Sequence, residues 1–131
     1  MANTVTVTKI INGTKRDVIH VYIAGDGSGE VTKSVIYDYS ADTYAPNAVT
    51  KLFIDKIWMT SDAVSPSIAF DGATDFQAWG QGNNIFSIAQ DFTHFGGIPN
   101  RATTPTGDVT ITTVGLGTGE HIYLVLDLRK I

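Results

Sequence analysis

The residues that could carry chemistry are few and widely spaced. His20, His94 and His121 are the only histidines of the 131-residue chain. None stands at a metal-ligand spacing, and no H-E-x-x-H or comparable pattern is present. Each is read as a structural hydrogen-bonding residue. Asp26-Gly27-Ser28-Gly29-Glu30 and the Asp71/Asp75 stretch each offer two carboxylates, whereas a calcium loop wants ligands at alternate positions closed by a bidentate Glu. Both read as solvated turns, and Asp26, Glu30, Asp71 and Asp75 are the first residues to examine should a metal prove to bind. Gly115-Leu116-Gly117-Thr118-Gly119 follows a strand, yet its spacing is not G-x-G-x-x-G and a strand rather than a helix comes next. That removes the helix N-terminus on which a pyrophosphate would sit. With no cysteine in the chain, thiolate sites and disulfides are excluded. The expectation is therefore no catalytic residue, no metal ligand, no cofactor and no enzymatic activity.

Binding is the remaining chemistry, and its candidates are apolar. Trp58, Trp79, Phe92, Phe95 and Ile98 form the candidate interface set. The four aromatics could stack on sugar rings, but in small β domains such residues more often build a core or a subunit contact.

The elements that must position these residues are strands. Thr, Val, Ile, Tyr and Phe recur in short runs of period two, separated by Gly, Asn, Asp and Pro. Thr4 to Ile11 is the first run, with Val5 and Val7 facing a core. Asn12-Gly13 predicts a type I′ turn, because these residue types accept positive φ. Lys15 to Ile23 folds back, with Ile19 and Val21 inward. Glu30 to Tyr39 is a third strand. Lys51 to Met59 is a fourth, apolar on both faces and interrupted by Asp55 and Lys56. Short runs follow at Ser67 to Phe70 and Phe76 to Trp79, then a strand over Ile85 to Gln90. Asp91 to Asn100 reads as an aromatic-anchored loop and Arg101 to Gly107 as a polar connection. Asp108 to Val114 and Glu120 to Lys130 close the chain, the latter aiming Ile122, Leu124, Leu126 and Leu128 one way. Leu52, Ile54 and Ile111 complete the expected core. No window carries a capped helical stripe.

These runs predict an all-β, single domain over residues 1–131, an antiparallel β-sandwich or jelly-roll-like fold. Hydrophobic residues make up 43% of the chain and charged residues 17%, enough apolar material for a core. A net charge of -4, with Lys and Arg dispersed, argues against direct nucleic-acid binding. No apolar run reaches the ~20 residues of a membrane span. Met1 to Thr6 lacks the charged and apolar regions of an export signal, so synthesis in the cytoplasm without export is expected. The Asn12-Gly13-Thr14 sequon is then a turn and not a glycosylation site.

One resemblance bears on function. Asp91-Phe92, Phe95-Gly96-Gly97, Thr106-Gly107-Asp108-Val109 and the final strand Glu120 to Leu126, together with Lys51-Leu52-Phe53-Ile54-Asp55-Lys56-Ile57-Trp58, resemble small β-rich virion structural proteins of marine tailed phages, including cyanophages. The resemblance spans about two thirds of the chain and none of its motifs is catalytic. It implies a place in the virion, after synthesis in the host cytoplasm. Within the virion it implies a capsid decoration, or cement, protein that binds the outside of the major capsid protein shell, and the gain from several linked contacts at a threefold position leads to the expectation of a homotrimer. Tail, neck or fibre components, or a glycan- or receptor-binding module, are the alternative it leaves open.

Overall fold

The computed structural model of the chain describes residues 3–27, 29–62, 64–80 and 87–131. Nine strands lie in them: β1 (Thr4–Asn12), β2 (Arg16–Ala24), β3 (Ser34–Tyr37), β4 (Leu52–Ser61), β5 (Ser67–Thr74), β6 (Phe76–Trp79), β7 (Ser87–Asp91), β8 (Thr103–Thr112) and β9 (His121–Lys130). Among the described residues helix is confined to the 3₁₀ turns Tyr39–Ala41 and Thr93–Phe95. Every strand pair is antiparallel. One sheet has five strands in the order β1-β2-β9-β4-β7, the other four in the order β3-β8-β5-β6. The chain is thus an all-β sandwich, and the alternation that predicted it is realised most regularly in β2 and β9.

Those two strands build the wall of the core. Ile19, Val21 and Ile23 of β2 and Ile122, Leu124, Leu126 and Leu128 of β9 are fully buried, facing Ile68, Phe70, Val109 and Ile111 of the second sheet. Of the expected core, only the β1 pair departs. Val5 is half-buried against the cluster, and Val7 is 38% exposed. The reason is position in the sheet: β1 is the outermost strand and contributes no fully buried residue. An edge strand can keep the period of a core strand where the opposite layer no longer covers it.

The other departures are local. β1 and β2 pair as the predicted hairpin, but neither Asn12 nor Gly13 has left-handed backbone; the loop Gly13 to Lys15 is closed by the Gly13 N–H donating to the Arg16 carbonyl at 3.0 Å. The third strand is four residues long rather than the span Glu30 to Tyr39, because Lys33 takes φ +48° and breaks the extended run. Val31 is still buried, held by the Thr113 N–H donating to its carbonyl at 2.9 Å. Arg101 to Gly107 is no connection: β8 starts at Thr103, and Thr103 and Pro105 pair with Thr74 and Gly72 of β5. Ile85, the expected start of the strand before Asp91, lies outside the described residues, which place β7 at Ser87–Asp91.

β4 departs most informatively. Its register slips between Ile54 and Lys56, so Asp55 sits in a bulge. Leu52 and Ile54 face the core before the slip, and Ile57 and Met59 face it afterwards. The two-faced apolar pattern therefore reflects one strand changing phase, not a strand covered on both sides.

Candidate functional surface

The outer face of the five-stranded sheet gathers side chains that alternation places opposite the core. Register aligns Thr8, His20, Val125, Trp58 and Ala89 in one row across β1, β2, β9, β4 and β7. The next row is Thr6, Tyr22, Tyr123, Thr60 and Ser87. Rings meet between the rows: Tyr22 and Tyr123 have centroids 4.8 Å apart, and His20 lies 6.3 Å from Tyr123. Tyr22 also stacks on His121 at 5.9 Å with 13° between planes. Trp58 is 42% exposed and Tyr123 49%. Desolvation, then the adjoining Tyr123, push the Tyr22 hydroxyl above its ordinary pKa. His121 Nδ1 is 3.1 Å from Asp62 Oδ2 at the rim. This arrangement supplies stacking area and a few polar handles for binding. His20, Tyr22, His121 and Tyr123 all stood on the non-core faces of their predicted strands. What one strand could not reveal is that β2 and β9 are neighbours.

The five interface candidates separate. Trp58 is on this outer face. Phe95 is 68% exposed at the tip of the 3₁₀ turn Thr93–Phe95, with Phe92 half-buried behind it and 6.0 Å away between ring centroids. Ile98 is half-buried and bridges to Ile54, the two residues exchanging backbone hydrogen bonds of 2.9 and 3.1 Å. Trp79 is a correction: it is 8% exposed, belongs to the core, and its Nε1 donates to Gln90 Oε1 at 2.9 Å, tying the edge strand β6 of one sheet to the edge strand β7 of the other. A large ring at a sandwich edge was free to cap the core, and Gln90 satisfies its N–H there.

The expected aromatic-anchored loop does lie against β4. Phe92 N–H donates to the Asp55 carbonyl at 2.7 Å, and Gly97, with φ +86°, passes so close that a Cβ would lie 2.6 Å from Asp55 Oδ1. Asp55 is buried and accepts from Arg129 Nε at 3.2 Å and Arg16 Nη2 at 3.4 Å; Arg16 also pairs with Asp127. Arg129 in turn covers the Phe53 ring at 4.7 Å and donates to the Gly96 carbonyl.

A second charged cluster lies inside the sandwich. Lys130, Asp17 and Asp42 have fully buried side chains, and Lys130 Nζ is 2.9 Å from Asp17 Oδ1 and 2.8 Å from Asp42 Oδ2. The Lys130 ammonium also donates to the Gly13 carbonyl at 2.7 Å and the Tyr44 carbonyl at 3.2 Å. Lys9 reaches in from the edge strand, 3.2 Å from Asp17 Oδ2 and 3.5 Å from Asp42 Oδ1. The Tyr37 hydroxyl donates to Asp42 at 2.7 Å. Burial alone raises the Asp42 carboxyl, but hydrogen bonds from Lys130, Tyr37 and the Tyr44 amide outweigh it and hold it at about 2. Burial, then the Asp42 partner, drive the Tyr37 hydroxyl far upward. A cleft of about 460 Å³ opens beside this cluster between Thr14, Lys15, Pro46, Asn47 and Lys130.

Among the described residues no three His, Cys, Asp or Glu side chains group as a metal site would require, and no helix is long and apolar enough to cross a membrane. No family model, curated protein or solved structure matches the chain.

Proposed function

We propose that the chain is a structural protein of a tailed-phage particle, a decoration protein that binds the outside of the major capsid protein shell and stabilises it. In this reading it is not an enzyme, it needs no cofactor, and it works as a homotrimer in the virion. The observation that carries the reading is the outer face of the five-stranded sheet, where Trp58 and Tyr123 stand exposed on inner strands. Large rings on a rigid sheet contribute contact area at little entropic cost, and this favours a broad protein interface. The motifs at Lys51–Trp58 and Asp91–Gly97 support the virion assignment. The net charge of -4 favours a site away from packaged DNA. Three linked copies gripping a threefold position of a shell multiply weak contacts into a strong attachment. Light scattering should give three chains per particle, and purified protein should bind shells that lack it. A monomer that ignores empty shells but attaches to tails or to host cells overturns the reading.

A specific observation favours one alternative. Tyr22, Tyr123 and His121 form a contiguous ring surface beside Trp58, and such a platform suits the apolar faces of sugars. A glycan array separates the two, because a decoration protein should give no saturable signal.

A further inference from the structure

We propose that Lys130 and Asp17 become joined by an isopeptide bond between neighbouring strands β9 and β2 of the folded chain. The amine and the carboxyl are held together in the interior, Nζ 2.9 Å from Oδ1, with both side chains fully buried. The amine nitrogen is in direct contact with the carboxyl it would attack and both side chains are shielded from solvent, conditions that favour an intramolecular condensation.

The neighbours have distinct roles. Asp17 accepts no well-aligned hydrogen bond at either carboxylate oxygen, whereas Asp42 is fixed by Tyr37 and the Tyr44 amide. Asp17 is therefore the carboxyl that is attacked. Asp42, 2.8 Å from Lys130 Nζ, holds the amine against Asp17, and the protons that the nitrogen loses pass to the departing Asp17 Oδ1, 2.9 Å away. Lys9, 3.2 Å from Asp17 Oδ2, faces the charge that develops there as the carbon becomes tetrahedral.

The step balances without any co-reactant. The new Nζ–Cγ bond replaces one Cγ–O bond of Asp17. Lys130 starts as an ammonium and keeps one hydrogen on the amide nitrogen. The other two leave with the departing oxygen as one water, and the adjacent cleft at Thr14, Asn47 and Lys130 gives that water a way out. Charge balances as well. Two lysines and two aspartates meet in the cluster, so removing one of each leaves Lys9 beside Asp42, 3.5 Å apart. A buried ion pair carries a heavy desolvation cost, and a neutral amide does not.

Intact mass of the purified full chain under denaturing conditions tests this. The main species should be lighter than its sequence by the mass of one water. Trypsin should release the peptide Asp17–Lys33 joined to Lys130–Ile131 as a single branched species. Lys130→Arg keeps the charge but cannot form the amide, and should run at full mass whether or not it folds. A wild-type chain at full mass overturns the proposal. So does a missing water with the two peptides separate, as dehydration at an Asp-Gly step such as Asp26-Gly27 would give. A branch to the peptide that carries Asp42 overturns the assignment of Asp17.

Discussion

Arg129 Nε donates to Asp55 at 3.2 Å, and Asp55 occupies the bulge at which β4 changes phase. The bulge turns a carboxylate into a buried position, and Arg129 and Arg16 are what make that burial tolerable. Replacing Asp55 with Ala removes one acceptor from each guanidinium, leaving Arg16 with Asp127 and Arg129 with the Gly96 carbonyl. Both arginines retain some solvent, so the cost should be moderate, about 1.5–3 kcal/mol. Urea unfolding monitored by circular dichroism measures it. A loss under about half a kcal/mol, the range of ordinary surface changes, would show that the charges rehydrate freely.

Gly97 seals the neighbouring loop over the same carboxylate. Its φ of +86° disfavours any side chain, and a Cβ there would meet Asp55 Oδ1 at 2.6 Å. Gly97→Ala should therefore destabilise by more than about 1 kcal/mol, the strain and the clash acting together. Gly96, also at positive φ but facing open space, is the control: its alanine variant carries strain alone and should cost less.

Core and edge separate by substitution. Leu124 on β9 is fully buried, so Leu124→Ala should cost about 2 to 5 kcal/mol. Val7 on β1 is partly exposed, and Val7→Ala should cost less than about 1 kcal/mol. Equal losses in thermal or chemical unfolding would mean that β1 is covered in solution.

How far the fold was legible follows from which interactions are local. Ile122, Leu124, Leu126 and Leu128 alternate without interruption, and the strand they predict is the one that forms. The bulge at Asp55 could not be read, because the apolar residues on either side fit two phases equally well. Trp79 could not be sorted between core and interface from the sequence, because its partner Gln90 comes from a strand of the other sheet. The interior charge cluster was missed although a signal existed. Lys130 continues the inward phase of Leu126 and Leu128, and Asp17 precedes Ile19 and Val21 in theirs. A charge in step with a core face demands a partner, but which partner depends on β2 lying next to β9.

Asp42 sets the acid limit of that cluster. Its folded pKa, about 2, lies below the ordinary value of 3.8, so its ionised form is stabilised by folding. That contribution is complete above the unfolded value and is lost as pH falls through the folded one. At neutral pH it is on the order of 2 kcal/mol. The stability difference between wild type and Asp42→Asn should therefore contain a part that is constant above about pH 4 and disappears by about pH 2. Lys130 supplies the largest part of that depression, so acylation of Lys130 should shrink the pH-dependent part and leave what the Tyr37 hydroxyl and Tyr44 amide hold. A difference independent of pH across that window would assign the stabilisation to shape and not to charge.

The outer sheet face gives the test that bears on function. Trp58 and Tyr123 lie in adjacent rows on β4 and β9, both exposed, and neither belongs to the core cluster. Changing both to Ser removes ring area that the folded monomer uses only in part, so stability should fall by no more than about 1 kcal/mol. If this face carries the interface, the same double variant should weaken assembly or shell binding far more, since central aromatic anchors cost upwards of about 2 kcal/mol when truncated. Sedimentation of trimers and co-pelleting with undecorated shells read the two effects separately. Phe95→Ser provides the comparison, because Phe95 is more open to solvent, 68% exposed, but sits on the loop after β7 and not in the ring rows. Loss of binding in Phe95→Ser with the Trp58/Tyr123 variant unaffected would move the interface from the sheet face to that loop.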